Sequence, residues 1–159
     1  MEKKRIRGFE YCKNWQCEVG VRLPVRGTPG SAGYDFFCPE DVLVLPGCTV
    51  KIVTGVKAYM QPGEVLMLFP RSSYGVKKGM VLANTVGVID SDFYNNPRNE
   101  GNITIAIRND GQVPFTIKKG ERFAQGVFMP YLLADNEDVL NDSRNGGIGS
   151  TDKEGGMKK

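Results

Sequence analysis

The sequence predicts an all-β domain, a distorted β-barrel of jelly-roll-like form with one short helix. Short runs of alternating or branched apolar residues carry that expectation, as do turn signals spaced roughly 8–12 residues apart. Glycine at 20 of 159 positions adds to it, because so many permissive residues suit tight turns better than a helix bundle.

The elements follow in chain order. Val42–Leu45 and Val50–Thr54 read as strands, bracketed by Pro39, Pro46-Gly47 and Gly55. Val65–Phe69 is a continuous apolar run that stops at Pro70, whose missing N–H cannot extend a ladder. Ser73–Met80 can form a short helix. Asn102–Arg108 alternates cleanly, so that Ile103, Ile105 and Ile107 share one face. Phe115–Ile117 and Arg122–Gln125 flank the turn Lys118-Lys119-Gly120, and Val127–Met129 follows. Leu132–Leu140 is a second helical candidate. Residues 141–159 differ, with five glycines in 19 residues and Ile148 as the single branched aliphatic. Such a segment buries too little apolar surface to offset its ordering entropy. The expected division is a barrel domain over residues 1–134 and a flexible glycine-rich arm over 135–159.

Composition narrows the chemistry. There is no histidine, which excludes Ser-His-Asp and Cys-His catalysis and imidazole-bound metals, and leaves a carboxylate as the expected general base. A chain of this length buries roughly 68–70% of its unfolded surface and needs no staple. Cys12, Cys17, Cys38 and Cys48 lack C-x-x-C spacing and read as small buried packing residues, not a zinc site. Residues 1–30 hold seven Lys/Arg against three acids, 31–134 ten against nine, and 135–159 four against six. That pattern lacks the dense basic stripe of a nucleic-acid binder. With no signal peptide and no 18-residue apolar run, a cytoplasmic protein without membrane or nucleic-acid partners is expected.

Several short segments could carry chemistry. Asp35, after the small-residue turn Pro29–Gly33, reads as a turn cap or as a carboxylate reaching a hard cation through water. Pro70–Gly75 joins an arginine and two hydroxyls to the free N–H groups of a helix start, which suits a phosphate or a plain cap. Within Val86–Phe93, Asp90 and Asp92 stand two apart on an expected strand and so share a face. In the absence of histidine Asp90 leads as the group that activates a water; hairpin-turn acids are the alternative. An EF-hand loop fails, because Tyr94, Asn95 and Gly101 occupy its ligand and glycine positions. Gly146–Thr151, with Arg144 upstream, lacks the P-loop lysine yet could form an anion nest once a ligand orders it.

In this order the segments resemble the homotrimeric dUTPase family, the deoxyuridine 5′-triphosphate nucleotidohydrolases, of a phage or Gram-positive bacterial type. The likeness runs from about residue 22 to residue 152 through Ala32–Phe36, Pro70–Ser73, Asn84 with Gly87–Phe93, Arg122–Gln125, and Arg144 with Gly146–Thr151. It implies hydrolysis of dUTP to dUMP and pyrophosphate, lowering dUTP and supplying dUMP for thymidylate synthesis. By resemblance, Asp90 is the base that deprotonates the water attacking the α-phosphorus. Arg71, Ser72, Ser73, Gln125, Arg144, Ser150 and Thr151 match phosphate contacts. Asn84, Gly87, Phe93 and Ile103 match the nucleoside pocket, and Asp35 an acid touching Mg²⁺ through water. A homotrimer with shared active sites is implied too, its arm closing over a neighbouring subunit's phosphates.

Three departures stand out. Ile148 occupies the place of an aromatic that stacks on uracil, with Phe93 and Tyr94 as candidates to replace that ring. Asp152 replaces a glycine after Ser150-Thr151. Tyr94–Asn99 lengthens the usual hairpin turn. Two other functions remain open: a dCTP deaminase of the same fold, against which Asp90 and the Ala32–Asp35 segment count, and a nucleotide-dependent regulatory protein binding a repressor-type partner through 94–99.

Overall fold

The computed structural model describes residues 5–15, 20–140 and 146–148. Its elements are β1 (Gly8–Tyr11), β2 (Val25–Arg26), β3 (Tyr34–Phe37), β4 (Val42–Val44), β5 (Thr49–Val53), β6 (Val56–Tyr59), β7 (Glu64–Pro70), α1 (Ser72–Lys78), β8 (Met80–Leu82), β9 (Gly87–Asp90), β10 (Thr104–Asn109), β11 (Phe115–Ile117) and β12 (Arg122–Pro130). Every pairing is antiparallel. One sheet orders β2-β3-β12-β7-β9, another β5-β10-β8, and the pairs β1-β6 and β4-β11 complete the arrangement. The all-β, jelly-roll-like expectation holds. Among the described residues no helix is long and apolar enough to cross a membrane.

The alternation read at residues 103–107 is the inner wall of the core. Ile103, Ile105 and Ile107 are buried in one cluster with Phe36, Leu66 and Phe123. Each such side chain contributes roughly 1.5–3 kcal/mol by leaving water. The two runs expected at 122–125 and 127–129 form a single strand, β12. Gly126, which looks like a break, is instead a close approach between layers: a Cβ there would stand 2.9 Å from Leu66 Cδ1 and 3.1 Å from Phe36 Cε2. The helix begins at Ser72 and stops before Gly79, whose φ of 71° lets its N–H reach the carbonyls of Gly75 and Tyr74.

Two expectations are corrected. Leu132–Leu140 forms no helix; Leu132, Leu133, Val139 and Leu140 are all exposed, and Asn136 turns the chain at a φ of 55°. No layer receives an apolar face there, and helical periodicity without burial does not hold a helix. Of the cysteines, Cys12 and Cys38 are buried as expected, with burial pushing both thiols up to about 11, but Cys48 is exposed. Cys17 lies outside the described residues.

The lengthened turn after Phe93 is a folded plug. Asn96 is buried at its centre: its amide donates to the Phe93 carbonyl (2.8 Å) and to Asn99 Oδ1 (2.6 Å). Its own Oδ1 accepts from the N–H groups of Arg98 and Asn99, both at 3.1 Å. Beneath it lies Lys57 of β6, only 6% exposed, whose ammonium donates to Asn95 Oδ1 (2.7 Å) and to the Glu100 carboxylate (2.6 Å). A buried ammonium is costly without such partners. Glu100 also accepts the Lys13 N–H at 3.1 Å, and the Tyr94 hydroxyl donates to Glu10 at 2.5 Å.

The hydrogen bond from Lys57 holds the Glu100 carboxyl below the ordinary glutamate value of 4.5. The contact therefore stabilises the fold above pH 4.5 and is lost as pH falls through the lowered value. Glu100→Gln should cost about 1 kcal/mol after solvent screening, roughly 2–4 °C in melting temperature near pH 7. In a pH series of thermal melts, the gap to the parent chain should close on acidification below that value.

Candidate active site

The site begins with the central position of β12, which pairs with β3 on one side and β7 on the other. The register sets Asp35 opposite Gln125, and Gln125 opposite Phe69. Opposed residues of an antiparallel pair share a face, so Asp35 meets the end of β7, where Arg71 leaves the strand. A bulge between Arg122 and Ala124 then re-aims Arg122. Phe123 and Ala124 are consecutive yet both fully buried, and Arg122 joins Gln125 on the outer face.

The result is a clamp. Arg71 Nε stands 2.9 Å from Asp35 Oδ1 in an ion pair, and Arg122 Nη1 donates to Oδ2 at 3.1 Å. Asp35 is 6% exposed, and its single charge leaves the pair of guanidiniums net positive. The Arg71 N–H also donates to the Phe123 carbonyl at 3.1 Å, which fixes its main chain. Gln125 donates to the Pro70 carbonyl at 3.3 Å. Gly33 presses on that side chain, since a Cβ there would stand 2.3 Å from Gln125 Oε1. Ser72 and Ser73 open α1 beside the clamp, both exposed. Arg122 and Gly33 had no assigned role in the sequence; their only signal was membership of segments now seen to converge.

On the far side of β7, β9 brings the second group. Gly87 is buried opposite Leu68, where a Cβ would stand 2.8 Å from Leu68 Cβ. Asn84 lies exposed in the preceding turn, with Thr85 at a φ of 68°. Asp90 ends β9, half-buried and opposite Val65. Asp92 falls in the following tight turn, Ser91–Phe93, so the expected common strand face for the two acids does not exist. Ile103 is fully buried in the core with its carbonyl bound to Thr54, so its side chain does not face a nucleoside.

The two rings expected to replace an aromatic at Ile148 are both engaged in this structure. Phe93 packs in the core at 7% exposure. Tyr94 is tied to Glu10, with the Lys57 ammonium 5.2 Å from its ring centroid. Neither ring is free to stack. Arg144, Ser150, Thr151 and Asp152 lie outside the described residues. Gly146 is buried, and a Cβ at Gly147 would stand 3.5 Å from the Phe93 ring, so this part of the arm lies against its own chain's hairpin. Ile148 is exposed.

Each Asp35 carboxylate oxygen carries one guanidinium group, which leaves the outer-shell contact through water expected of it neither made nor blocked. Among the described residues, no three acids or cysteines gather to hold an ion. The donor set does not fit a resident, protein-held cation at Asp35. Its visible task is to hold two arginines. Asp35→Asn should lower stability by about 1–3 kcal/mol through loss of two ion pairs, one of them hydrogen-bonded, read from the midpoint of urea unfolding.

Comparison with known proteins shows the family. The dUTPase family model matches residues 20–152. A deoxyuridine 5′-triphosphate nucleotidohydrolase of Lactococcus lactis subsp. lactis (strain IL1403) is 51% identical over 148 residues, covering 92% of this chain and 98% of its own. A crystal structure of dUTPase from Streptococcus mutans matches with a TM-score of 0.73 at 50% identity, over 81% of this chain and 99% of that one. A Staphylococcus bacteriophage 80alpha dUTPase with dUPNHPP matches at 26% identity and a TM-score of 0.68, over 92% and 98% of the two chains. The family match spans the three strands that bring the clamp together and the strand that ends at Asp90, and the chain belongs to the dUTPase family.

Proposed function

We propose that this chain hydrolyses dUTP to dUMP and pyrophosphate with Asp90 as general base. The observation that carries the reading is one sheet face, which bears a cationic clamp at one end and a half-buried carboxylate at the other. Asp90 takes a proton from water as the water oxygen bonds to the α-phosphorus. The bond to the oxygen bridging the α- and β-phosphorus breaks, and its electron pair leaves with pyrophosphate. Arg71, Ser72, Ser73 and Gln125 bind the phosphates, and the fixed positive charge offsets charge developing on the leaving group. Asp35 is a positioning residue that keeps Arg71 and Arg122 aimed. A magnesium ion carried by the triphosphate would add to that charge neutralisation.

Main-chain groups around Asn84 and Gly87 read the uracil edge, since a wrong base would leave buried polar groups unpaired. Residues 135–159 serve as the arm, with Arg144, Ser150 and Thr151 closing on the phosphates and excluding water.

A homotrimer with shared sites is part of the proposal. Asp90 stands opposite Val65, five residues and about 16 Å along β7 before Pro70. Phe69, Met67 and Val88 occupy the same face between the clamp and Asp90, and Val88 is 53% exposed. A partly exposed apolar band between two polar halves supports cover by a second copy, whose clamp would then face this Asp90.

The family match favours hydrolysis over the deaminase alternative. A second, regulatory reading draws on the bacteriophage 80alpha relative, described as controlling transfer of virulence genes by a G protein-like mechanism. In this chain the plug at 94–99 is the surface that a protein partner would meet.

The test is product analysis by phosphorus NMR with dUTP and dCTP offered separately. The parent chain should form dUMP and pyrophosphate from dUTP alone. Asp90→Asn should lower kcat by about 10²–10⁴ while dUTP still binds. Formation of dUTP from dCTP, or an unaffected variant, would overturn the assignment.

A further inference from the structure

Three cations outside the phosphate-contacting segments face the same space as the clamp. Arg22, Lys77 and Lys78 line a cleft of about 600 Å³ together with Arg71, Ser73 and Arg122. Glu121 is the single acid in that lining, and it is already engaged by the Tyr74 hydroxyl at 2.6 Å and the Lys118 N–H at 2.8 Å. Asp35 is likewise committed to Arg71 and Arg122. Among the described residues Arg22, Lys77 and Lys78 form no ion pair.

Their placement is specific. The Arg22 guanidinium lies 4.2 Å from the centroid of the Phe37 ring, which steadies the planar group and leaves its N–H edge for an oxyanion. Lys77 and Lys78 stand in the last turn of α1, six and seven residues beyond Arg71. Fixed like charges around one concavity repel each other, and a multiply charged anion relieves that repulsion. A chain of net charge +3 concentrates five cations there.

We propose that Arg22, Lys77 and Lys78 form a second anion subsite that holds inorganic pyrophosphate as it leaves Arg71 and Ser73. The inference rests on the hydrolysis reading, which supplies the pyrophosphate. Two linked phosphate groups match the layout: one remains at the clamp while the other meets an arginine fork and two lysine point charges. The same cations draw in an incoming triphosphate, so removing them should raise KM without lowering kcat.

Titration calorimetry of the full chain tests this with pyrophosphate, inorganic phosphate and dUMP as separate probes. In the triple variant Arg22→Gln/Lys77→Gln/Lys78→Gln, pyrophosphate affinity should fall about tenfold or more, and its inhibition of dUTP turnover should weaken in parallel. Inorganic phosphate, with one group to place, should bind more weakly and lose less. Affinity for dUMP and kcat should stay within about twofold, since neither uses these side chains. Unchanged pyrophosphate binding in a variant with an unaltered melting curve would overturn the proposal, as would an equal loss of dUMP binding. The double variant Lys77→Gln/Lys78→Gln, on an exposed helix end, serves if the triple variant does not fold, with a smaller loss in the same direction. Failure of the hydrolysis reading is distinguishable: the parent chain would then release no pyrophosphate from dUTP, however tightly added pyrophosphate bound.

Discussion

Asp35 sits almost out of water between Arg71 and Arg122, and a carboxylate so placed is tolerable only while both guanidiniums stay on it. Much of the surrounding architecture can be read as keeping them there. The central strand β12 brings β3 and β7 to either side of Gln125. Its bulge swings Arg122 onto the outer face, leaving two consecutive residues, Phe123 and Ala124, to fill the core. Glycines at 33 and 126 let side chains approach where any Cβ would collide. The clamp is thus an outcome of sheet register, and it carries a net positive charge.

The second half of the candidate site hangs on β9 and the plug that follows it. Asn96 holds the Phe93 carbonyl from within the plug, and Lys57 ties the plug to β6 through Asn95 and Glu100. The segment carrying Asp90 is therefore followed by an ordered polar knot and not by a loose turn. A buried network of this kind rigidifies only if its members are satisfied, and no buried side-chain polar atom among the described residues lacks a partner. Gly147 lies against the same Phe93, which ties the start of the glycine-rich segment to this part of the fold.

Much of the barrel was legible because it is local. The alternation at Ile103, Ile105 and Ile107, the stop at Pro70 and the turn at Gly120 each declare themselves within a few residues. β3 was not legible, because Asp35 interrupts Tyr34–Phe37 with a charge whose partners lie 36 and 87 residues away in sequence. Gly126 looked like a break for a similar reason: the packing that demands it comes from Leu66 and Phe36. Leu132–Leu140 misled in the opposite direction, having periodicity but nothing to pack on. At the site, the types and order of Asp35, Arg71, Asp90 and Gln125 were readable through the family resemblance. The Asp35–Arg122 pair, the core position of Ile103, the fixed rings of Phe93 and Tyr94 and the cations of the cleft all required the fold.

The central claim is that one sheet face divides the clamp from the base, so that a working site draws on two copies of the chain. Mixing Asp90→Asn with Arg71→Ala subunits, by coexpression or joint refolding, tests it most directly. Each variant alone should be nearly inactive. In randomly mixed trimers about a quarter of sites would combine an intact Asp90 from one copy with an intact Arg71 from the next, restoring about a quarter of parental activity. Mixed oligomers, verified by mass, that stay as inactive as their parts would contradict the account.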